Sequence, residues 1–147
     1  NGNERILEIG TGSGYQAAVL SPLVKEVYSI EVVRSLAENA SKKLKEMHYN
    51  NVIVKWGDGY HGWAEHSPFD DIIVTAAPKE VPQTLIDQMK VGGRLVVPVG
   101  SYFQKLKVIT KLRDGKTGEE NIISVRFVPM VHAEKTPNNS SKHSINK

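Results

Sequence analysis

The sequence has no cysteine among its 147 residues, which excludes disulfide staples, zinc–cysteine sites and thiol nucleophiles. No apolar run approaches the ~20 residues a helix needs to cross a bilayer, and no secretory signal precedes the first expected strand. A cytoplasmic protein without membrane contact is expected. The histidines, His48, His61, His66, His132 and His143, fall at no ligand spacing, so no metal is expected. Strong charge is missing too. The formal net charge is +3, but Lys135, Lys142 and Lys147 against Glu134 supply most of it, which leaves the body nearly neutral. Lys42, Lys43 and Lys45 interleave with Glu38 and Glu46 as on the solvated face of a helix, and nucleic acid is not an expected partner. No Gly-Lys-Ser/Thr follows the glycines at 10, 12 and 14, which excludes a phosphate-binding loop there.

What is present alternates between short apolar runs and helical patterns. Arg5 to Ile9, Glu26 to Glu31, Val52 to Trp56, Asp70 to Thr75 and Arg94 to Val99 read as strands. Between them, Tyr15 to Leu23 reads as a helix that Pro22 helps to end. Val33, Leu36, Ala37, Ala40 and Leu44 mark one face of a second helix, and Val81 to Met89 a third, capped by Gly92-Gly93. This order predicts an α/β fold: a doubly wound, mostly parallel sheet. Leu106 to Leu112 and Ile122 to Val128, joined by the turn-rich Arg113 to Gly118, predict an antiparallel hairpin at its C-terminal edge. One domain is expected over residues 1–133, with hydrophobic residues at 39% sufficient for a core. The Pro, Asn, Ser and Lys-rich stretch 134–147 is expected to be a disordered polar tail.

The chemistry concentrates after the first strand, in Glu8-Ile9-Gly10-Thr11-Gly12-Ser13-Gly14. Alternate glycines let the chain turn sharply and leave no side chains against a ligand. The dinucleotide pattern G-x-G-x-x-G does not fit, because position 15 is tyrosine. Acid-x-Gly-x-Gly-x-Gly is instead similar to the first motif of class I S-adenosylmethionine-dependent methyltransferases. In an open parallel sheet, ligands bind beyond the carboxyl ends of the strands. Glu31 ends the second strand, where an acid can accept from two ribose hydroxyls or simply be a solvated strand end. Asp58, between Gly57 and Gly59, can accept from an adenine amino group or merely form a turn. Trp56 and Trp63, which flank that loop, read as packing residues.

Several longer stretches resemble the protein-L-isoaspartate O-methyltransferase family: Trp56 to Trp63, Pro68 to Pro78, Val81-Pro82, Leu85 to Lys90, Gly92 to Gly100 and Val125 to Met130. The resemblance spans nearly all of residues 4–131. It implies a Rossmann-like methyltransferase fold and transfer of a methyl from S-adenosyl-L-methionine, leaving S-adenosyl-L-homocysteine. The acceptor would be the free carboxylate of L-isoaspartyl residues in damaged proteins, which initiates their repair. It places Glu8, Gly10, Thr11, Gly12 and Gly14 at the methionine end of the cofactor, Glu31 on the ribose, and Asp58 and Gly59 at the adenine. Thr75, Ala76, Ala77 and Pro78 fall beside the transferred methyl. Phe127, Val128 and Pro129 fall along the substrate peptide, although the residues alone equally describe an edge strand blocked by its proline.

No catalytic side chain is assigned. Family members carry a segment ahead of the glycine motif with a serine or threonine hydroxyl on the substrate carboxylate, and this sequence has four residues ahead of its first strand. The expectation is a piece that keeps the cofactor fold and is weakly active or inactive alone. A methyltransferase of another substrate class, or a fragment that only binds cofactor or a partner, remain the alternatives. The Asn-Pro-Pro-Tyr type signature of amino-directed nucleic-acid methyltransferases is absent, since the fourth strand ends in Thr-Ala-Ala-Pro.

Overall fold

Apolar residues on alternate positions of the inner strands require cover on both sides, and the chain provides it with a seven-stranded sheet between two layers. The computed structural model describes residues 2–134. Its strands are β1 (Arg5–Ile9), β2 (Glu26–Glu31), β3 (Val52–Trp56), β4 (Phe69–Val74), β5 (Met89–Val99), β6 (Gln104–Lys111) and β7 (Thr117–Val125). The order is β3-β2-β1-β4-β5-β6-β7, parallel from β3 through β5 and antiparallel for β6 and β7. Helices α1 (Tyr15–Leu20) and α2 (Arg34–Glu46) pack on one face, where Ala17, Val27 and Leu44 form a small core. On the other face Leu7, Tyr28, Ile72 and Leu95 pack with Trp63, Met89 and Leu85 of the short helix α3 (Gln83–Asp87).

The doubly wound sheet with its antiparallel edge is the architecture the sequence predicts, with four local differences, one being that β7 covers Thr117–Val125 rather than Ile122 to Val128. Only Tyr15 to Leu20 is α-helical; Ser21–Leu23 tightens into a 3-10 turn with Pro22 in its first positions. The third helix is shorter than Val81 to Met89. Pro82 caps its start, and the Gln88 carbonyl accepts from Phe69 N at 2.8 Å, which draws Met89 into the sheet opposite Phe69. Gly92-Gly93 is consequently not a helix cap. The pair sits inside β5 where the register against β4 shifts, and a Cβ on Gly93 would lie 2.4 Å from the Asp70 carbonyl oxygen. Of the tail expected over 134–147, all but Glu134 lies outside the described residues.

The chain reverses direction across the sheet between β1 and β4, each of which ends at the same edge. That switch point, beyond Ile9 and Val74, is where an open α/β sheet holds ligands.

Candidate active site

At the switch point a cleft of ≈ 420 Å³ opens between the ends of β1, β2 and β4, a size suited to a small organic ligand. The glycine loop makes one wall. Gly10 has φ +98°, and a Cβ there would lie 2.1 Å from Thr75 Oγ1, so only glycine lets the loop pass against β4. Thr75 holds that approach: its hydroxyl lies 2.9 Å from the carbonyl oxygens of both Ile9 and Gly10, and its N–H donates to Ile9 O. Gly12 lines the cleft at φ +54°, and a Cβ on it would meet nothing within 4 Å. A side chain there would project into open space that is now free for a ligand.

Glu31 is the acid at the floor of this cleft, only 6% exposed. Its Oε2 accepts from Gly12 N at 2.8 Å and its Oε1 from Val33 N at 3.0 Å. It therefore anchors the glycine loop to the turn after β2. A carboxylate has about four acceptor positions, so two face no partner in this arrangement. The solvated strand end that the sequence also allowed is not what the fold contains.

Glu8, Thr11 and Gly14 do not line the cleft; they support it from beneath. Glu8 is fully buried, and its Oε1 accepts from Ser29 Oγ, which in turn lies 2.6 Å from Thr11 Oγ1. Burial pushes the Glu8 carboxyl up to about 7, against the pull of Ser29 and Gln16 and with added repulsion from Glu31. Glu8 Oε2 and Gln16 Nε2 both lack a hydrogen-bond partner, so Gln16 acts as a nearby amide dipole. Gly14 (φ +85°) closes on α2, where a Cβ would sit 3.2 Å from Leu44 Cδ1.

Gly59 lines the cleft, and Asp58 beside it is engaged by the chain's C-terminal segment. Its Oδ1 accepts from Tyr60 N at 2.9 Å, and its Oδ2 lies 2.9 Å from His132 Nδ1 and accepts from Ala133 N at 3.3 Å. Burial would raise its pKa, yet these hydrogen bonds outweigh it and hold the carboxyl below the usual carboxylate range. His132 also stacks on Tyr60, with ring centroids 4.1 Å apart. The sequence offered no signal for this role. Trp63 is buried, and its N–H donates to the Gln88 side chain, which also bonds the His61 carbonyl; Trp56 donates to the Val32 carbonyl. Both tryptophans hold loops.

The opposite wall comes from the end of the described chain. Ala77 N donates to Val128 O at 2.7 Å and Met130 N to Ala77 O at 2.8 Å, so residues 128–130 lie parallel to the extension of β4. Val128, Pro129, Met130 and Val131 thereby close the cleft over Thr75 and Ala76. Ala77 faces a second cavity, Pro78 is fully buried, and Phe127 is held by Gln104 rather than lining the first cleft. Val33, Leu36 and Val131 are further lining residues that the motifs did not single out, and Met130 lines it from the end of the Val125 to Met130 stretch.

The family model described as protein-L-isoaspartate(D-aspartate) O-methyltransferase (PCMT) matches residues 1–135. The chain belongs to this family. A protein-L-isoaspartate O-methyltransferase 2 of Syntrophobacter fumaroxidans is 53% identical over 127 residues, which is 85% of this chain and 51% of that protein. One from Opitutus terrae is 55% identical over 129 residues, 86% of this chain and 55% of the relative. The chain thus spans about half the length of the curated relatives it matches. Among solved structures, a protein-L-isoaspartate O-methyltransferase superposes with TM-score 0.83 at 38% identity, covering 88% of this chain and 42% of that one. A Plasmodium falciparum protein described as a beta-aspartate methyltransferase (PCMT) was solved in complex with S-adenosyl-L-homocysteine. It gives TM-score 0.74 at 26% identity, covering 89% of this chain and 67% of its own. Among the described residues no group of three or more His, Asp or Glu could hold a metal, and no helix is long and apolar enough to cross a membrane.

Proposed function

We propose that this chain forms the S-adenosyl-L-methionine site of a protein-L-isoaspartate O-methyltransferase, acting on the free carboxylate of L-isoaspartyl residues in damaged proteins. The cytoplasmic location expected from the sequence belongs to the same reading. Glu31 carries it: a buried acid at the cleft floor, fixed by two backbone N–H groups, with two acceptor positions left for the two hydroxyls of a ribose. Asp58 has three of its four positions taken, which leaves one for an adenine amino group beside Gly59. The side-chain-free edge of Gly10 and Gly12 accommodates the amino-acid end, toward Thr75 and Ala76.

When bound, S-adenosyl-L-methionine supplies a sulfonium methyl that the acceptor carboxylate takes up, giving a methyl ester and a neutral thioether. The protein needs no general base for this, because an α-carboxyl with a pKa of roughly 3.5 is already ionised at neutral pH. Its residues act by position. Thr75 fixes the end of β4 against the glycine loop, and Ala76 leaves room where acceptor and donor meet in line. Val128 to Val131 put apolar side chains beside the meeting point, which lowers the solvation of the opposite charges that neutralise each other there.

Labelled methyl transfer to isoaspartyl and aspartyl versions of one peptide tests the reading. Transfer that favours the isoaspartyl version and yields a base-labile ester is expected. Equal transfer to both versions, or label on a small molecule or nucleic acid instead, contradicts it.

A further inference from the structure

The turn between β5 and β6 carries two aromatic side chains, Tyr102 and Phe103, that are 97% and 93% exposed. Single exposed apolar residues are ordinary, but adjacent rings on one tightly held turn mark a contact surface. The turn is held at both ends. Gly100 adopts φ +126°, where a Cβ would lie 2.1 Å from the Phe103 carbonyl oxygen, and its N–H donates to Pro78 O at 3.0 Å. Gln104, almost fully buried, donates to Phe127 O at 3.0 Å and accepts from Phe127 N at 2.6 Å, with a longer bond to Ser101 O. Its amide pairs with Phe127 as a neighbouring strand would, which locks the aromatic turn to the segment that closes the cleft.

Tyr102 also walls the second cavity, ≈ 960 Å³ in volume, which shares Pro129, Met130 and Val131 with the first. Through these shared residues the second cavity runs on from the first, past Ala77, to the turn at Tyr102. Lys79 and Glu80 offset one another at its wall and His132 is engaged by Asp58, so the cavity offers little charge by which to choose a sequence. Ring contact remains.

We propose that Tyr102 and Phe103 form a docking platform for the acceptor polypeptide, taking a bulky apolar or aromatic side chain next to the modified residue. This rests on the isoaspartyl reading above. It makes the β5–β6 turn the element that ranks one damaged site over another, while the cleft behind it fixes the chemistry.

Fluorescence anisotropy with the protein saturated in S-adenosyl-L-homocysteine tests it, using labelled isoaspartyl peptides flanked either by phenylalanine and leucine or by glycines, with aspartyl counterparts. The wild type is expected to bind the apolar-flanked isoaspartyl peptide about tenfold more tightly than the glycine-flanked one. The Y102A/F103A double variant is expected to lose that preference, with unchanged affinity for the glycine-flanked peptide and for S-adenosyl-L-homocysteine. A double variant that keeps the wild-type preference overturns the platform. So does one whose only change is dissociation of a dimer in sedimentation, which assigns the rings to a contact between copies. A wild type that does not distinguish isoaspartyl from aspartyl peptides overturns the functional reading itself, and the platform with it.

Discussion

Replacing Glu8 by glutamine separates the cost of a buried charge from the value of its hydrogen bonds. The native Glu8 carboxyl is raised from 4.5 to about 7 because burial disfavours its charged form. Below the unfolded value both states are protonated and the group costs nothing. Between the two values the native state holds a proton that the unfolded state has released, so this group's contribution falls as pH rises. Above pH 7 both states are ionised, and the penalty levels off at about 3 kcal/mol, the free-energy equivalent of that shift. Glutamine keeps an acceptor for Ser29 Oγ and carries no charge. Glu8→Gln is therefore expected to match or slightly trail the wild type near pH 4 and to exceed it increasingly up to pH 8, by about 3 kcal/mol at the plateau. Urea unfolding of both proteins at half-unit intervals of pH measures the difference, and the 13C shift of the Glu8 carboxyl reports its titration directly. Parallel stability curves, or a carboxyl that titrates near its ordinary value, would refute the reasoning.

Other expectations follow from single contacts. Gly93→Ala puts a Cβ against the Asp70 carbonyl and should destabilise the protein by roughly 1–3 kcal/mol, read as a lower Tm, with no change at Gly92→Ala beyond its φ cost. Gln104→Ala removes both bonds to the Phe127 backbone; it should cost about 2 kcal/mol and abolish hydrogen-exchange protection of the Phe127 amide. Asp58 is held below its ordinary pKa, so its contribution is present above pH 3.8 and fades as pH falls through the lower native value. Asp58→Asn should flatten acid unfolding in that window, and an unchanged acid midpoint would count against it.

The sheet and the face of the site were legible because each rests on a local rule. Strand and helix periods, glycines at 10, 12 and 14, and an acid closing β2 are all written in short windows. The remainder depends on partners distant in sequence. Gly92-Gly93 reads as a helix stop until the bond from Phe69 N to the Gln88 carbonyl draws Met89 into the sheet and turns the pair into a bulge. Asp58 reads as a ligand or turn residue, and nothing near it announces His132 and Ala133. Gln104 is an ordinary polar residue between two strand-like runs until its amide meets Phe127. Glu8 matched a motif, but alternation along β1 sends it to the α1–α2 side, beneath the loop rather than into the cleft.

The central claim is that the cleft floored by Glu31 holds S-adenosyl-L-methionine and its product. Isothermal titration of S-adenosyl-L-homocysteine into the wild type and Glu31→Ala tests it most directly. Saturable one-site binding that weakens by at least about tenfold in the variant is expected, since hydrogen bonds to a charged group contribute roughly 1.5–3 kcal/mol. Absence of binding to the wild type, or equal affinity in a folded Glu31→Ala protein, would contradict it.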